Sequence, residues 1–194
     1  DKPVIFGGFS ASYFHLELLE NYPQVDYVFR GDTVEKPLLH LLECLEKNKL
    51  PWEVSNLSWR HPDGRVKVNP LNFVPESLDE YFTDYGLVIR AAARDLDPEG
   101  YLHYRDWFKH PMAAILSSKG CPYSCITCGG SSFAYRKICG RNRIALKKPE
   151  TLVEEIRVIE DYMKTPVFIL NDLRLGGEDY ACLLYTSDAA DELD

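Results

Sequence analysis

Cys121-Pro-Tyr-Ser-Cys125-Ile-Thr-Cys128 sets three thiols within eight residues, in C-x3-C-x2-C spacing. Thiolates this close on one loop can ligate three corners of a cubane iron–sulfur cluster, and the loop supplies no fourth. The remaining iron is then open to the amino and carboxylate groups of a small molecule. Zinc is the competing reading, with Cys139 completing a four-thiolate site. Structural zinc favours paired C-x2-4-C knuckles, whereas Cys139 stands alone, eleven residues beyond Cys128. Of six cysteines, three share one short loop instead of being spread as a disulfide framework, which points to metal in a reducing, cytoplasmic setting. Cys44 and Cys139 read as ordinary packed thiols. Gly129 and Gly130 follow the last cysteine directly and suit a backbone that must approach a cofactor closely.

The elements around this loop have to hold it. Met112–Ser117 reads as a strand that runs into Lys119-Gly120-Cys121. A helix is expected from Pro149, a good first helical residue, through Leu152, Ile156 and Ile159. Val167–Leu170 is the next strand and ends in Asn171-Asp172. Strand, long cysteine loop, helix, strand is one turn of a βα barrel or an open parallel sheet. The N-terminal part repeats the same logic. Pro3–Phe6 is a short buried strand ending in Gly7-Gly8, followed by helical spacing at Tyr13, Leu16, Leu18 and Leu19. Asp26–Phe29 is a second strand ending at Arg30-Gly31-Asp32, followed by a helix carrying Leu38, Leu39, Leu41, Leu42 and Leu45. Such α/β folds gather their ligand loops at the C-terminal ends of strands. Between the two parts, Asn56–Trp59 and Arg65–Asn69 flank His61-Pro-Asp-Gly64, a hairpin signal, and the stretch from Leu78 to about Phe108 reads as a Tyr-rich helical connector.

With these residues on the page, the cysteine loop resembles the signature of radical S-adenosylmethionine (SAM) enzymes. The resemblance implies a [4Fe-4S] cluster on Cys121, Cys125 and Cys128, with SAM on its open iron. Reductive cleavage of SAM to a 5'-deoxyadenosyl radical would follow, fed by an electron donor such as flavodoxin or ferredoxin. The family often has an aromatic residue just before the third cysteine, where this chain has Thr127; Tyr123 is the nearest substitute for packing on adenine. Gly129 and Gly130 would approach SAM. Family members also contact its amino group from the end of the second barrel strand, commonly through Gly-Gly-Glu. A literal Gly176-Gly177-Glu178 exists but lies beyond the strand end, so the positional match is Asn171 and Asp172.

The N-terminal loops, with Gly7, Gly8, Ser10, Ser12 and Gly31, resemble the second half of the cobalamin-binding domain that precedes many radical SAM domains. Cobalamin is thereby a candidate second cofactor, its nucleotide tail lined by those loops. The resemblances divide the chain into a partial Rossmann-like cobalamin-binding domain (1–48), a hairpin and helical linker (49–110) and the first βαβ unit of a radical SAM barrel (111–181). Residues 182–194 resemble a translated sequencing adapter and are set aside from fold reasoning. On this reading the fragment by itself is inactive, and its substrate is an unnamed small molecule. The non-catalytic alternative is a zinc- or cluster-stabilised binding module.

Composition agrees with a globular chain: 194 residues, 45% hydrophobic, 27% charged. No apolar run approaches the roughly 20 residues of a membrane span. Four acids at 188, 191, 192 and 194 account for half of the formal charge of −8. Six bases and no acid lie between Arg136 and Lys148 (Arg136, Lys137, Arg141, Arg143, Lys147, Lys148). Without interleaved aromatics they read as a solvated loop, and nucleic acid is disfavoured as a partner.

Overall fold

The computed structural model describes residues 2–96 and 109–191. In chain order the first elements are β1 (Ile5–Phe6), α1 (Phe9–Tyr13), α2 (His15–Asn21), β2 (Tyr27–Phe29), α3 (Glu35–Glu46), β3 (Leu57–Arg60), β4 (Val66–Val68) and α4 (Tyr85–Asp95). They are followed by β5 (Ala113–Leu116), β6 (Ser118–Lys119), α5 (Ser132–Cys139), β7 (Ala145–Leu146), α6 (Pro149–Tyr162), β8 (Val167–Leu170), a 3-10 turn (Leu173–Gly176) and α7 (Glu178–Asp191). The chain forms two compact units: Asp1–Glu76 with Gly120–Ile144, and Ser77–Lys119 with Ala145–Asp194. The cysteine loop thus groups with the N-terminal elements, and the stretch expected as a linker is shared between the units.

The first unit is built on a sheet of order β1-β2-β3-β4, with β1 and β2 parallel and the other pairs antiparallel. The parallel crossover runs through α1 and α2. These are two short helices, not one, because Phe14 leaves helical geometry at ψ 26 between them. The expected hairpin is present, with Gly64 in the left-handed region at φ +85 and its N–H donating to the His61 carbonyl (2.8 Å). It extends the sheet instead of standing apart. The reason is apolar: Leu57 and Trp59 on β3 are fully buried with Phe29, Leu41 and Val54. Burying a side chain of Leu size contributes roughly 1.5–3 kcal/mol.

Two asparagines that sequence reading passed over hold the segment after the hairpin. Asn56, at φ +63 and wholly buried, accepts from the Asn72 and Phe73 N–H groups (3.1 and 3.0 Å) and donates to the Phe73 carbonyl (2.7 Å). Asn69 donates to the carbonyls of Pro51 and Val54 (2.7 and 2.8 Å) and accepts from the Trp59 indole (3.2 Å). Buried amides that bond to the main chain fix irregular backbone as a ladder fixes a strand.

The second unit contains the expected βαβ turn. β5 and β8 are parallel, in register from Ala113 opposite Val167 to Leu116 opposite Leu170. α6 begins at Pro149 as expected and buries Leu152 and Ile159 against Ala113, Ile115 and Tyr85. α4 covers only the middle of the expected helical stretch, and residues 97–108 lie outside the described residues. α7 continues through positions set aside as a tail: Leu184 is buried in the same core, since no Gly or Pro interrupts the helix after Gly177.

Tyr180 on α7 donates its hydroxyl to the Lys147 carbonyl (2.6 Å). Burial first, then the carboxylates of Asp79 and Glu150, push its phenol up to about 12. The neutral form therefore stabilises this unit fully below the ordinary value of 10.0, and that contribution is lost as pH rises towards 12. Denaturant titrations across that window will show a fall in stability that Tyr180→Phe lacks. An identical fall in the variant would assign the loss to other groups.

Candidate functional site

The cysteine loop is irregular but folded. Cys128 N–H donates to the Cys125 carbonyl (3.3 Å), Ser131 N–H to the Cys128 carbonyl (3.3 Å), and Ser132 N–H back to the Tyr123 carbonyl (2.8 Å). Ser131 caps α5 by accepting from the Ala134 N–H (3.3 Å). The helix closes on Gly140, at φ +69, where a Cβ would press Leu71 at 3.3 Å. Turn, cap and left-handed stop hold both ends of a segment whose middle has no ladder.

All three loop thiols are free; Cys125 and Cys128 are exposed and Cys121 is half-buried. Among the described residues no three His, Cys, Asp or Glu side chains are gathered as a metal-binding group. What fits is the donor set: three soft sulfur ligands, none committed to a disulfide, on one solvent-facing loop, the chemistry that selects iron–sulfur clusters or zinc. Cys139 is fully buried at the end of α5, and Cys44 packs against the Phe29–Trp59 core, as expected of ordinary thiols. Beside the thiols, Tyr123 and Ile126 present large apolar surfaces to solvent. A Cβ on Gly129 would meet nothing within 4 Å, and one on Gly130 would only touch Cys128 Sγ and the Tyr135 ring at 3.9 Å. Protein packing alone does not call for glycine at either position.

In the same unit, Ser12 joins the two glycine loops. Its buried hydroxyl donates to the Gly8 carbonyl (2.8 Å) and accepts from the Gly31 N–H (3.0 Å). Gly8 and Gly31 have φ +94 and +119, which side chains rarely adopt. At Gly31 a Cβ would also stand 3.2 Å from Asn56 Nδ2. Gly31→Ala will therefore cost more than the roughly 1 kcal/mol by which a compatible Gly→Ala change can stabilise, read from a urea midpoint. An unchanged midpoint would mean that the loop relaxes. Gly7 and Ser10 are exposed and line a cavity of about 490 Å³, together with Phe6, Phe14, Leu18 and Tyr22. Ser12 and Gly31 serve the loop framework and are buried.

In the second unit Asn171 and Asp172 follow β8 as expected, and both already have local work. Asn171 sits at φ +78 and donates to the backbone and hydroxyl oxygens of Ser118. Asp172 accepts from the Arg174 N–H (3.0 Å), caps the 3-10 turn and pairs with the Arg174 guanidinium (2.7 Å). Those contacts hold its carboxyl below the usual range.

The basic run is not a uniform solvated loop. Arg136, Lys137, Arg143 and Lys148 are exposed, but Arg141 is buried against Asp32, and Lys147 is buried against Glu155. Sequence reading missed both pairs because neither acid lies in the basic run: Asp32 is over a hundred positions away, and Glu155 is inside α6.

Comparison with known proteins follows the same lines. No family model matches the chain. It is 24% identical over 177 residues to the anaerobic magnesium-protoporphyrin IX monomethyl ester cyclase of Rubrivivax gelatinosus, covering 89% of this chain and 28% of the relative. The cyclase of the same name from Synechocystis sp. is 25% identical over 130 residues, 67% of this chain and 23% of the relative. Among solved structures, TsrM, a radical SAM methyltransferase from Kitasatospora setae, superposes with a TM-score of 0.62 at 15% identity, over 99% of this chain and 34% of its own. The cobalamin-dependent SAM radical enzyme OxsB superposes with a TM-score of 0.57 at 18% identity, over 87% of this chain and 21% of its own. The chain therefore spans about a quarter of the curated relatives and a third or less of these structures. The mixed α/β fold resembles that of these radical SAM enzymes over the part of them that the chain covers.

Proposed function

We propose that this chain is part of a radical SAM enzyme in which Cys121, Cys125 and Cys128 hold a [4Fe-4S] cluster and leave one iron for SAM. The observation that carries this reading is the trio of free thiols on a single solvent-facing loop, with buried Cys139 as the nearest further thiol in sequence. When bound, the cluster supplies the electron that cleaves SAM to methionine and a 5'-deoxyadenosyl radical, with flavodoxin or ferredoxin as the donor class.

The chain's own residues present the sulfurs and shape the approach. Gly129 and Gly130 leave open space beside Cys128, which suits a cofactor at van der Waals distance from the backbone. Exposed Tyr123 is the apolar face available for adenine in place of an aromatic at Thr127. Asn171 keeps its side-chain carbonyl, and Asp172 its carboxylate, as acceptors for the SAM ammonium group.

Cobalamin is proposed as the second cofactor, with Gly7, Gly8, Ser10, Ser12 and Gly31 on its loops. TsrM has been determined with cobalamin and a [4Fe-4S] cluster bound, and OxsB with aqua-cobalamin and SAM. The apolar cavity beside Gly7 and Ser10 supports a nucleotide tail at the first glycine loop. The substrate is a small molecule. No helix among the described residues is long and apolar enough to cross a membrane.

The test is made on the complete protein, reconstituted anaerobically with iron and sulfide and supplied with SAM and a reductant. Release of 5'-deoxyadenosine, lost on chelation of the iron, is expected. No release together with tight one-to-one zinc binding would overturn the proposal in favour of a metal-stabilised binding module.

A further inference from the structure

Arg141 is the least explained of the six bases. Its side chain is 2% exposed and that of Asp32 7% exposed, and the two meet as a fork: Nε on Oδ2 at 2.5 Å and Nη2 on Oδ1 at 2.9 Å. Two further donors go to the Pro75 carbonyl from Nη1 (2.8 Å) and to the Thr33 hydroxyl from Nη2 (3.4 Å). A fork with its donors placed this way specifies an orientation that a point charge would not.

The other end of the side chain bears on the cysteine loop. Gly120, the residue before Cys121, has φ +100. A Cβ there would stand 3.0 Å from Arg141 Cδ, 3.2 Å from Ile144 Cα and 3.3 Å from the Arg143 carbonyl, so the Gly120 backbone is laid directly on the Arg141 stem. The Arg141 N–H donates to the Tyr135 carbonyl (3.1 Å). The Tyr135 ring in turn stands edge-on to Phe9 at 4.9 Å. Asp32 itself follows Gly31, the residue whose N–H is held by Ser12.

We propose that the Asp32–Arg141 pair is a positioning device that clamps the neck of the cysteine loop at Gly120, fixing where Cys121 is presented and tying it to the Gly31 loop. Its part in cluster chemistry rests on the proposed function; its part in loop geometry does not. The role is distinct from ligation, since neither residue offers sulfur.

The test uses the full 194-residue chain and two variants chosen to keep it folded. Arg141→Lys keeps the charge but not the fork. Asp32→Leu/Arg141→Met removes both charges together and fills the space with apolar groups, the kind of replacement buried pairs commonly tolerate. In the metal-free chain, with folding confirmed by circular dichroism, alkylation of each cysteine is followed by mass spectrometry. Cys121, half-buried in the wild type, is expected to react several-fold faster in both variants, with Cys125 and Cys128 little changed. In the reconstituted chain the cluster should be lost to a chelator about 10-fold faster, as for outer-shell partners generally, with an altered electron paramagnetic resonance signal.

Unchanged Cys121 reactivity in a folded variant would overturn the inference whether or not the wild type takes up iron. Faster Cys121 alkylation in a chain that takes up no cluster would uphold the clamp and sink the proposed function. If both variants fail to fold, the wild type still decides. Hydrogen exchange at the Gly120 and Cys121 amides as slow as in the β5–β8 core supports a clamp, and exchange as fast as at Cys125 overturns it.

Discussion

If the proposed cluster sits on the cysteine loop, alanine in place of Cys121, Cys125 or Cys128, one at a time, is expected to abolish retention of iron and sulfide after anaerobic reconstitution. Retention should fall by more than the about 10–100-fold that loss of an outer-shell partner costs, because a cubane corner loses its sulfur outright. Serine at Cys139 is the informative control. It lies at the end of α5, fully buried, and its replacement should leave retention intact. Equal losses from Cys139 and the loop cysteines would point to a four-thiolate site and to zinc.

The second large effect concerns stability in the unit that carries the βαβ turn. Glu155, wholly buried on α6, accepts from the Lys147 ammonium and from the Thr83 N–H (2.7 Å) through the same oxygen; its other oxygen is buried with no partner among the described residues. Lys147→Met strands that charge, and breaking such a buried pair costs about 3–5 kcal/mol. Urea unfolding followed by circular dichroism will read it as a large drop in midpoint. Adding Glu155→Gln should recover most of the loss, since the amide oxygen can still accept from Thr83. A single variant as stable as the wild type would show that Glu155 has found water or another cation.

These expectations stand on features of unequal visibility. The strands that end in Gly7, Gly31 and Asn171, the start of α6 at Pro149 and the Asp63-Gly64 turn were legible because each is set by local chemistry: β-branched runs, a helix-compatible φ, a left-handed position. The gathering of three free thiols on one loop was legible for the same reason, their spacing being entirely local.

Long-range partners were not legible. Nothing near Arg141 announces Asp32, and nothing in the spacing of Lys147 and Glu155 marks them as a buried pair, so two buried cations passed for members of a solvated run. Asn56 and Asn69 read only as ends of the segments that flank the hairpin turn, yet their amides organise the chain from Pro51 to Phe73. The hairpin was foreseen, but its place in the sheet depended on Leu57 and Trp59 finding Phe29 and Leu41. The break at Phe14 escaped because the apolar spacing runs through it unbroken.

One spectroscopic measurement bears most directly on the account: the electron paramagnetic resonance spectrum of the reduced, reconstituted chain before and after SAM is added. Three sulfur ligands and an accessible fourth iron predict a cubane signal that shifts on SAM addition and returns when SAM is removed. A cubane signal indifferent to SAM, or a chain that binds one zinc tightly and no cluster, would contradict it.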